Sequence, residues 1–400
     1  MSKSNETTPN VPTLRFAEYI DEWHKYALSD FATRITRRNK NNESSLPLTI
    51  SAQYGLVDQI TFFNKTVASV DLSGYYLLYN GDFAYNKSYS NDYAWGAVKR
   101  LDKYEKGCLS SLYFVFHPTD KVDSDYLTHY FETSKWHKGI SDIAGEGARN
   151  HGLLNMAVDD YFATKHYLPS LSEQKKIACF LNLITKRIEI QNKIISKYET
   201  LIKGISCDYF SKQPNHIAKL KDLIIKGKAG GTPSSTVAEY YNGDIPFLSI
   251  SDMTKQGKYV EFTEKHISEN GLANSSAWIV PSNSLILSMY ASVGLVCINK
   301  VPLATSQAMF SMVLKDCNML DYIYYYLNFF RETQIHRLLE TGTQSNINAD
   351  TVRDIEIPFY SNILVFVKTL QAIENRLNNE KDMLSRLMDL KTYLLSSLFI

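Results

Sequence analysis

The clearest pattern in the chain is an apolar stripe that steps 4, 3, 4, 3 from Ile177 through Leu181, Ile184, Ile188, Gln191, Ile195, Tyr198, Ile202 and Ile205 to Tyr209. This is the seam of a coiled coil. The segment "SEQKKIACFLNLITKRIEIQNKIISKYETLIKGISCDYF" (172–210) is therefore predicted to be one long helix. The same stepping recurs at the C-terminal end through Phe366, Leu370, Ile373, Leu377, Glu380, Leu384, Leu387, Lys391, Leu394 and Leu398. Each seam runs for about five heptads, so each helix is roughly 50 Å long. A single apolar stripe of that length needs a partner. Two matched helices in one chain predict an antiparallel pair, with Gln191 and Glu380 near its middle as a register-fixing polar layer.

The two helices are copies. Ile177 and Phe366 are 189 positions apart, as are Tyr209 and Leu398, Pro169 and Pro358, Arg187 and Arg376, and Phe210 and Phe399. Only Ile202 against Lys391 breaks the apolar match. The repeat extends upstream: "LSDF" (28–31) matches "LKDL" (220–223), "LYNGDFAYNKSYS" (78–90) sits where "VPSNSLILSMYAS" (280–292) does, and Gly-x-Val follows at 96–98 and 294–296. A long-period duplication follows, with the order globular domain, helix, globular domain, helix.

Within the globular parts, "SSLYFVFHP" (110–118) and "SLILSMYAS" (284–292) are predicted strands. "DYLTHYFETSKWHKGI" and "LDYIYYYLNFFRETQIHRLL" are predicted helices, and "AGGTPSS" (229–235) a turn. The fold class is α+β: two pseudo-repeated globular domains separated by two long helices packed as an antiparallel coiled coil. The predicted boundaries are 14–167, 168–211, 212–357 and 358–400.

Composition adds little to this plan. A chain of 400 residues with 44% hydrophobic content has ample core for two domains. A net charge of +1 gives no bulk attraction for nucleic acid, so any basic patch is local. Five scattered cysteines without a Cys-x-x-Cys pair fit free thiols in a reducing compartment. The polar start "MSKSNETTPNVPT" carries no apolar leader run, and "LILSMYASVGLVCI" is too short and polar to span a bilayer. A cytoplasmic protein with no membrane partner is expected.

Local chemistry points to DNA. A ruler-like helix pair bearing two similar domains suits two similar targets at fixed spacing, and DNA half-sites are such targets. A spacer or dimerisation device remains open. "TRITRRNKNN" (33–42) offers Arg34, Arg37, Arg38 and Lys40 for phosphates, although a solvated loop looks the same. "AYNKSYSNDYAWGAVKR" (84–100) offers Tyr85, Asn86, Lys87, Ser88, Tyr89, Lys99 and Arg100 for base edges and phosphates, or is a polar hairpin. "GEGARNHG" (145–152) offers Arg149 and Asn150; its glycine spacing fits no nucleotide loop. In the second half, Lys226, Lys228 and Thr232 flank a flexible turn, and "ETGTQSNIN" (340–348) offers Thr343, Gln344, Ser345 and Asn346, although ordinary loops look the same. Catalytic signatures are missing: no methyltransferase Asp/Asn-Pro-Pro-aromatic run, P-loop, Gly-x-Ser-x-Gly or His-Glu-x-x-His, and no metal-ligand spacing.

These stretches together resemble the specificity subunit of type I restriction-modification enzymes. "TLRFAEYIDEWHKYALSDF" is similar to that family's opening, "LPSLSEQKKIACFL" to its central Leu-Pro-x-x-x-Glu-Gln-x-x-Ile-Ala-x-x-Leu signature, and "GGTPSSTVAEYYNGDIPFLSISDM" to a frequent start of its target recognition domains. The resemblance implies that each target recognition domain reads one half of a bipartite double-stranded DNA site. It implies that the helices set the gap and dock two methyltransferase (modification) subunits, and that motor-nuclease (restriction) subunits join for cleavage. S-adenosylmethionine, ATP and Mg would then be used by those partners, with no cofactor, metal or catalytic residue in this chain. The second signature departs from the pattern: "IPFYSNILVFVKTL" keeps Ile357 and Pro358 but lacks the Glu-Gln of Glu173 and Gln174, which puts equal docking of both methyltransferase copies in question. A coiled-coil adapter that binds only proteins, and a stand-alone enzyme, are the alternatives.

Overall fold

The computed structural model of the chain describes residues 10–65, 67–89, 93–144, 152–338 and 346–400, with the backbone alone of residues 149–150. Both predicted long helices form, the central one over Leu171–Phe210 and the C-terminal one over Ile363–Ser397. Every residue of both seams is buried or half-buried, as the 4, 3 stepping requires.

The chain divides into two compact units, residues 1–192 with 382–400, and residues 193–381. Each unit takes a part of each helix. In the first, Ile177 and Leu181 of the central helix share a core with Leu394 and with Leu398 and Phe399, which follow the C-terminal helix. In the second, Tyr209 and Phe210 share a core with Phe366 and Leu370. There Tyr209 stacks on Phe366 with ring centroids 3.8 Å apart. The start of one helix meets the end of the other inside each unit, so the pairing in each is antiparallel. The helices begin at Leu171 and Ile363, a few residues after the predicted boundaries at 168 and 358, and the compact units cut through both helices, because the two ends of each seam belong to the cores of different units.

The duplication is visible strand by strand. The first unit closes with His24–Ala27 antiparallel to Lys165–Leu168, the second with His216–Lys219 antiparallel to Glu356–Phe359. One-turn helices follow, Leu28–Phe31 and Leu220–Leu223, which are the matched "LSDF" and "LKDL". Their first leucines are fully buried. Next comes a sheet with the same strand order in both units. In the first the order is Ala32–Arg34, Phe114–Pro118, Phe83–Asn86, Ala97–Arg100. In the second it is Ile224–Ala229, Met309–Leu314, Leu285–Ser288, Val296–Asn299, with Tyr259–Val260 added at the edge.

The Gly-x-Val repeat has a backbone cause. Gly96 and Gly294 precede equivalent strands with φ of +79° and +78°, a region open to glycine and strained for other residues. A Cβ on Gly96 would also lie 2.1 Å from the carbonyl oxygen of Asn86.

After the sheet comes a helix whose first turn carries an acid: Ser124–Tyr130 with Asp125, and Leu320–Thr333 with Asp321. The first-unit segment predicted as one helix is two, Ser124–Tyr130 and His137–Ile143. The hydroxyl of Thr133 donates to the carbonyl of Tyr130 at 2.7 Å and helps turn the chain between them.

The central signature is a set of internal contacts. Glu173 and Gln174 are both buried. Gln174 donates from Nε2 to the carbonyl of Pro169 at 3.0 Å and accepts from the backbone N–H of Asp123 at 2.8 Å. In the second unit the corresponding positions are Asn362 and Ile363, and aromatic side chains replace the Glu-Gln anchor. The Tyr360 hydroxyl donates toward the carbonyls of Phe210 and Lys212, and the Tyr322 hydroxyl donates to that of Pro358. The missing second Glu-Gln thus changes how the helix start is anchored and removes no exposed surface.

No helix of the described residues is long and apolar enough to cross a membrane, and all five cysteines are free thiols.

Candidate nucleic-acid interface

Strand register brings the predicted loops of each unit to one sheet edge. In the first unit, Ala32–Arg34 and Phe83–Asn86 both run antiparallel to Phe114–Pro118. Both therefore end where that shared strand begins. The basic loop after Arg34 and the polar loop after Asn86 leave the sheet at the same edge. A third segment joins them. Arg149–Asn150 pairs with Leu153–Leu154, the N–H of Leu154 donates to the carbonyl of Lys87 at 3.0 Å, and the N–H of Tyr89 donates to that of Gly152 at 3.2 Å. Segments about sixty residues apart in sequence meet here. The side chains of Arg149 and Asn150 lie outside the described residues.

The second unit repeats the arrangement. Ile224–Ala229 and Leu285–Ser288 both end at the start of Met309–Leu314. The loop from Gly230 to Thr232 and the loop from Met289 to Ala291 leave at that edge. The N–H of Ile347 donates to the carbonyl of Met289 at 3.0 Å, which brings in half-buried Asn346. Thr343, Gln344 and Ser345 lie outside the described residues. The paired glycines of "AGGTPSS" serve close packing: a Cβ on Gly230 would lie 1.9 Å from the Thr305 carbonyl oxygen, and one on Gly231 2.3 Å from Ser276 Oγ.

The predicted side chains fall into two groups. Arg34 and Lys40 are exposed, and neither makes a hydrogen bond or ion pair among the described residues. Lys228 is exposed near the same edge, its ammonium 3.4 Å from the Ser276 carbonyl; Lys226, also exposed, pairs with Val313 toward the other end of the strand, its ammonium 3.9 Å from the centre of the Trp278 ring. The Thr232 hydroxyl donates to Gln307. Lys87 is half-buried, 4.6 Å above the ring of Phe114, and burial holds its pKa below the usual lysine value. Ser88 bridges to Leu153. The Asn86 side chain accepts from the Ser88 N–H at 2.9 Å. Arg38 lies 4.1 Å over Tyr76 and donates to the Gly74 carbonyl.

A second group is corrected by the structure. Tyr85 is fully buried, stacked on Tyr161 at 4.8 Å, with its hydroxyl donated to the Trp95 carbonyl. It is a core residue. Arg37 forms an ion pair with buried Asp82 and donates to the Leu77 carbonyl, so its charge is used inside the unit. Lys99 and Arg100 pair with Ala84 and Phe83, at the far end of the sheet. Arg100 is bound there by Asp102 and Asp125 at 2.6 and 2.7 Å. Lys99 lines a groove of about 530 Å³ with Glu132 and Lys391, and Lys391, the one basic seam residue, pairs with Glu132 at 2.9 Å.

Tyr290 was not singled out by sequence. It is 42% exposed in the loop that follows Leu285–Ser288, two residues past its strand as Ser88 is past Phe83–Asn86. The signal was the repeat itself: "SMY" sits where "NKS" does.

No group of three His, Cys, Asp or Glu side chains among the described residues is placed to hold a metal ion. What converges in each unit is a set of hydrogen-bonding, cationic and aromatic side chains on loops held by a sheet, which is chemistry for binding.

Residues 214–381 match the family described as the type I restriction modification DNA specificity domain. The chain is 30% identical over 147 residues to the type I restriction enzyme MjaIX specificity subunit of Methanocaldococcus jannaschii, covering 36% of this chain and 34% of that one. It is 31% identical over 180 residues to the HindI specificity subunit of Haemophilus influenzae, covering 43% and 38%. The chain thus spans little more than a third of the curated relatives it matches. The fold agrees over nearly its whole length with the S subunit of a type I restriction-modification system from M. genitalium, at TM-score 0.56 and 15% identity, covering 98% of this chain and 99% of the other. A chain from a structure of a type I R-M system complex gives TM-score 0.58 at 15% identity, covering 94% and 97%. The resemblance to type I restriction-modification specificity subunits is therefore borne out.

Proposed function

We propose that this chain is the DNA-reading specificity subunit of a type I restriction-modification complex. Each unit reads one half of a bipartite double-stranded DNA site through the loops at its sheet edge. The helices set the gap between halves and dock two methyltransferase subunits, and motor-nuclease subunits join for restriction. S-adenosylmethionine, ATP and Mg serve those partners, this chain supplies no catalytic group, and the complex works in the cytoplasm.

The observation that carries this reading is the duplication of the edge. In both units the loops after the first and third strand positions leave one edge and are joined by a late segment, Leu153–Leu154 or Ile347. Two copies of one loop arrangement with different side chains suit two different half-sites. Leu183 and Tyr393 on the long helices, together with Leu364 and Val365, are 58–66% exposed, which supports docking of protein partners.

The test is a map of methylated adenines in DNA from cells carrying the chain and its methyltransferase, against cells lacking only the chain. A split, asymmetric motif present with the chain and absent without it is expected. If an active methyltransferase shows no motif that depends on the chain, the protein-only adapter replaces this reading.

A further inference from the structure

Each unit fastens its acid-bearing helix to a long helix by the same polar contact. In the first, Nδ2 of Asn182 on the central helix donates to Oδ2 of Asp125 at 2.9 Å, and Oδ1 of Asn182 lies 2.8 Å from Nε2 of His129. In the second, Nε2 of Gln371 on the C-terminal helix donates to Oδ2 of Asp321 at 2.8 Å. Asn182 and Gln371 are 189 positions apart, the offset of the helix repeat. Asp125 and Asp321 are 196 apart, as are His129 and Tyr325 one turn later.

The remaining parts of the contact are not copied. Oδ1 of Asp125 takes Arg100 at 2.7 Å, whereas Oδ1 of Asp321 takes Lys258 at 2.8 Å. Arg100 ends a sheet strand, and Lys258 precedes Tyr259–Val260. The Tyr325 hydroxyl donates to Glu374 at 2.5 Å, and Lys258 binds the same carboxylate at 2.8 Å. Burial disfavours the Lys258 ammonium, but Glu374 and Asp321 outweigh it and hold its pKa above the usual lysine value. The cation is supplied differently in each half, while the pairing of helix amide with first-turn carboxylate is kept.

The apolar residues of the seam cannot do what this pair does. A stripe of Ile and Leu offers nearly equivalent packing after a slip of one heptad, whereas a polar pair with fixed geometry is satisfied in one register. We propose that Asn182 and Gln371 are positioning residues. Each fixes where its recognition unit sits along its long helix, and together they hold the tolerated DNA gap to a single length. This rests on the DNA-reading function proposed above.

The experiment is the methylated-adenine map repeated for the Asn182→Leu/Gln371→Met double variant in cells with the methyltransferase. The half-site sequences should stay as in the parent. Motif copies whose gap is about three base pairs shorter or longer, the ~10 Å of a one-heptad slip, should gain methylation at least tenfold. Tyr325→Phe, which deletes one hydroxyl, should show the same broadening at smaller amplitude and serves if the double variant fails to accumulate. Variants that methylate only the parental gap, or that change the half-site sequences instead, overturn the assignment. A parent that produces no motif defeats the DNA-reading function itself, and that result is distinct from a parent with a motif whose gap the variants leave intact.

Discussion

The guanidinium of Arg15 meets the carboxylate of Glu173 as a two-pronged pair, Nε to Oε1 and an Nη to Oε2, both at 2.8 Å. The indole N–H of Trp23 reaches the same Oε1 at 3.4 Å. Glu173 is 1% exposed and Arg15 14% in side-chain terms, so a buried carboxylate depends on one arginine from the N-terminal segment. Arg15→Ala leaves that charge unpaired and should cost about 3 kcal/mol of stability. Arg15→Lys should recover only part of it, because an ammonium cannot make both contacts. Urea unfolding of the pure chain measures both.

The edge loops predict a division of labour on DNA. Lys87→Ala or Tyr290→Ala should cost about 1–3 kcal/mol at single base pairs of one half-site and leave the other half-site unchanged. Arg34→Ala and Lys40→Ala should weaken binding to all sequences and lower the salt slope by about 1 each. Titrations of the assembled complex with site and scrambled duplexes, over a range of salt, separate the two behaviours. Equal losses from all four substitutions would refute the division.

Glu132 makes acid stability predictable. Burial penalises its charge, but His129, Lys391 and Lys99 outweigh that and hold its carboxyl at about 2. A group whose pKa is lowered by folding stabilises fully above its unfolded value, about 4.3, and loses that contribution as pH falls toward 2. Thermal melts of Glu132→Gln should therefore show a flatter acid limb between about pH 5 and 2 than the parent. A parallel decline in both would count against the pairing with Lys391.

The repeated glycines should be intolerant. Gly96→Ala places a Cβ 2.1 Å from the Asn86 oxygen at a φ of +79°. It should destabilise by more than about 1 kcal/mol. Gly294→Ala meets the flexible end of Ile335 instead, at 2.3 Å, so its penalty should be smaller. Denaturant midpoints of the two variants test the order.

What could be read from the sequence was whatever repeats at short range. The seam residues declare themselves because every third or fourth position must be apolar, and the duplication follows from two seams at one offset. The loops around Lys87 and Gly230 were legible as polar, turn-forming runs between strands. Partners far along the chain were not legible. Arg37 gave no sign of Asp82, 45 residues away, nor Arg100 of Asp125, 25 residues away. Each arginine alone looks like a phosphate ligand. Tyr85 looked like a surface tyrosine because its neighbours are polar, yet strand alternation turns it inward onto Tyr161. Tyr290 was hidden for the opposite reason, at the end of an apolar strand that hands it to solvent.

The way the compact units cut the helices sets an order for synthesis. The second unit is a continuous stretch, residues 193–381, and its core is complete once that stretch has left the ribosome. The first unit is not complete at that point, since its core includes Leu394, Leu398 and Phe399. Its core around Ile177 and Leu181 therefore lacks the cover of those three residues while some two hundred further residues are made, and the half translated first finishes folding last. Nascent chains stalled before residue 382 should present that incomplete core to chaperones, reversing the usual N-terminal-first order of domain maturation.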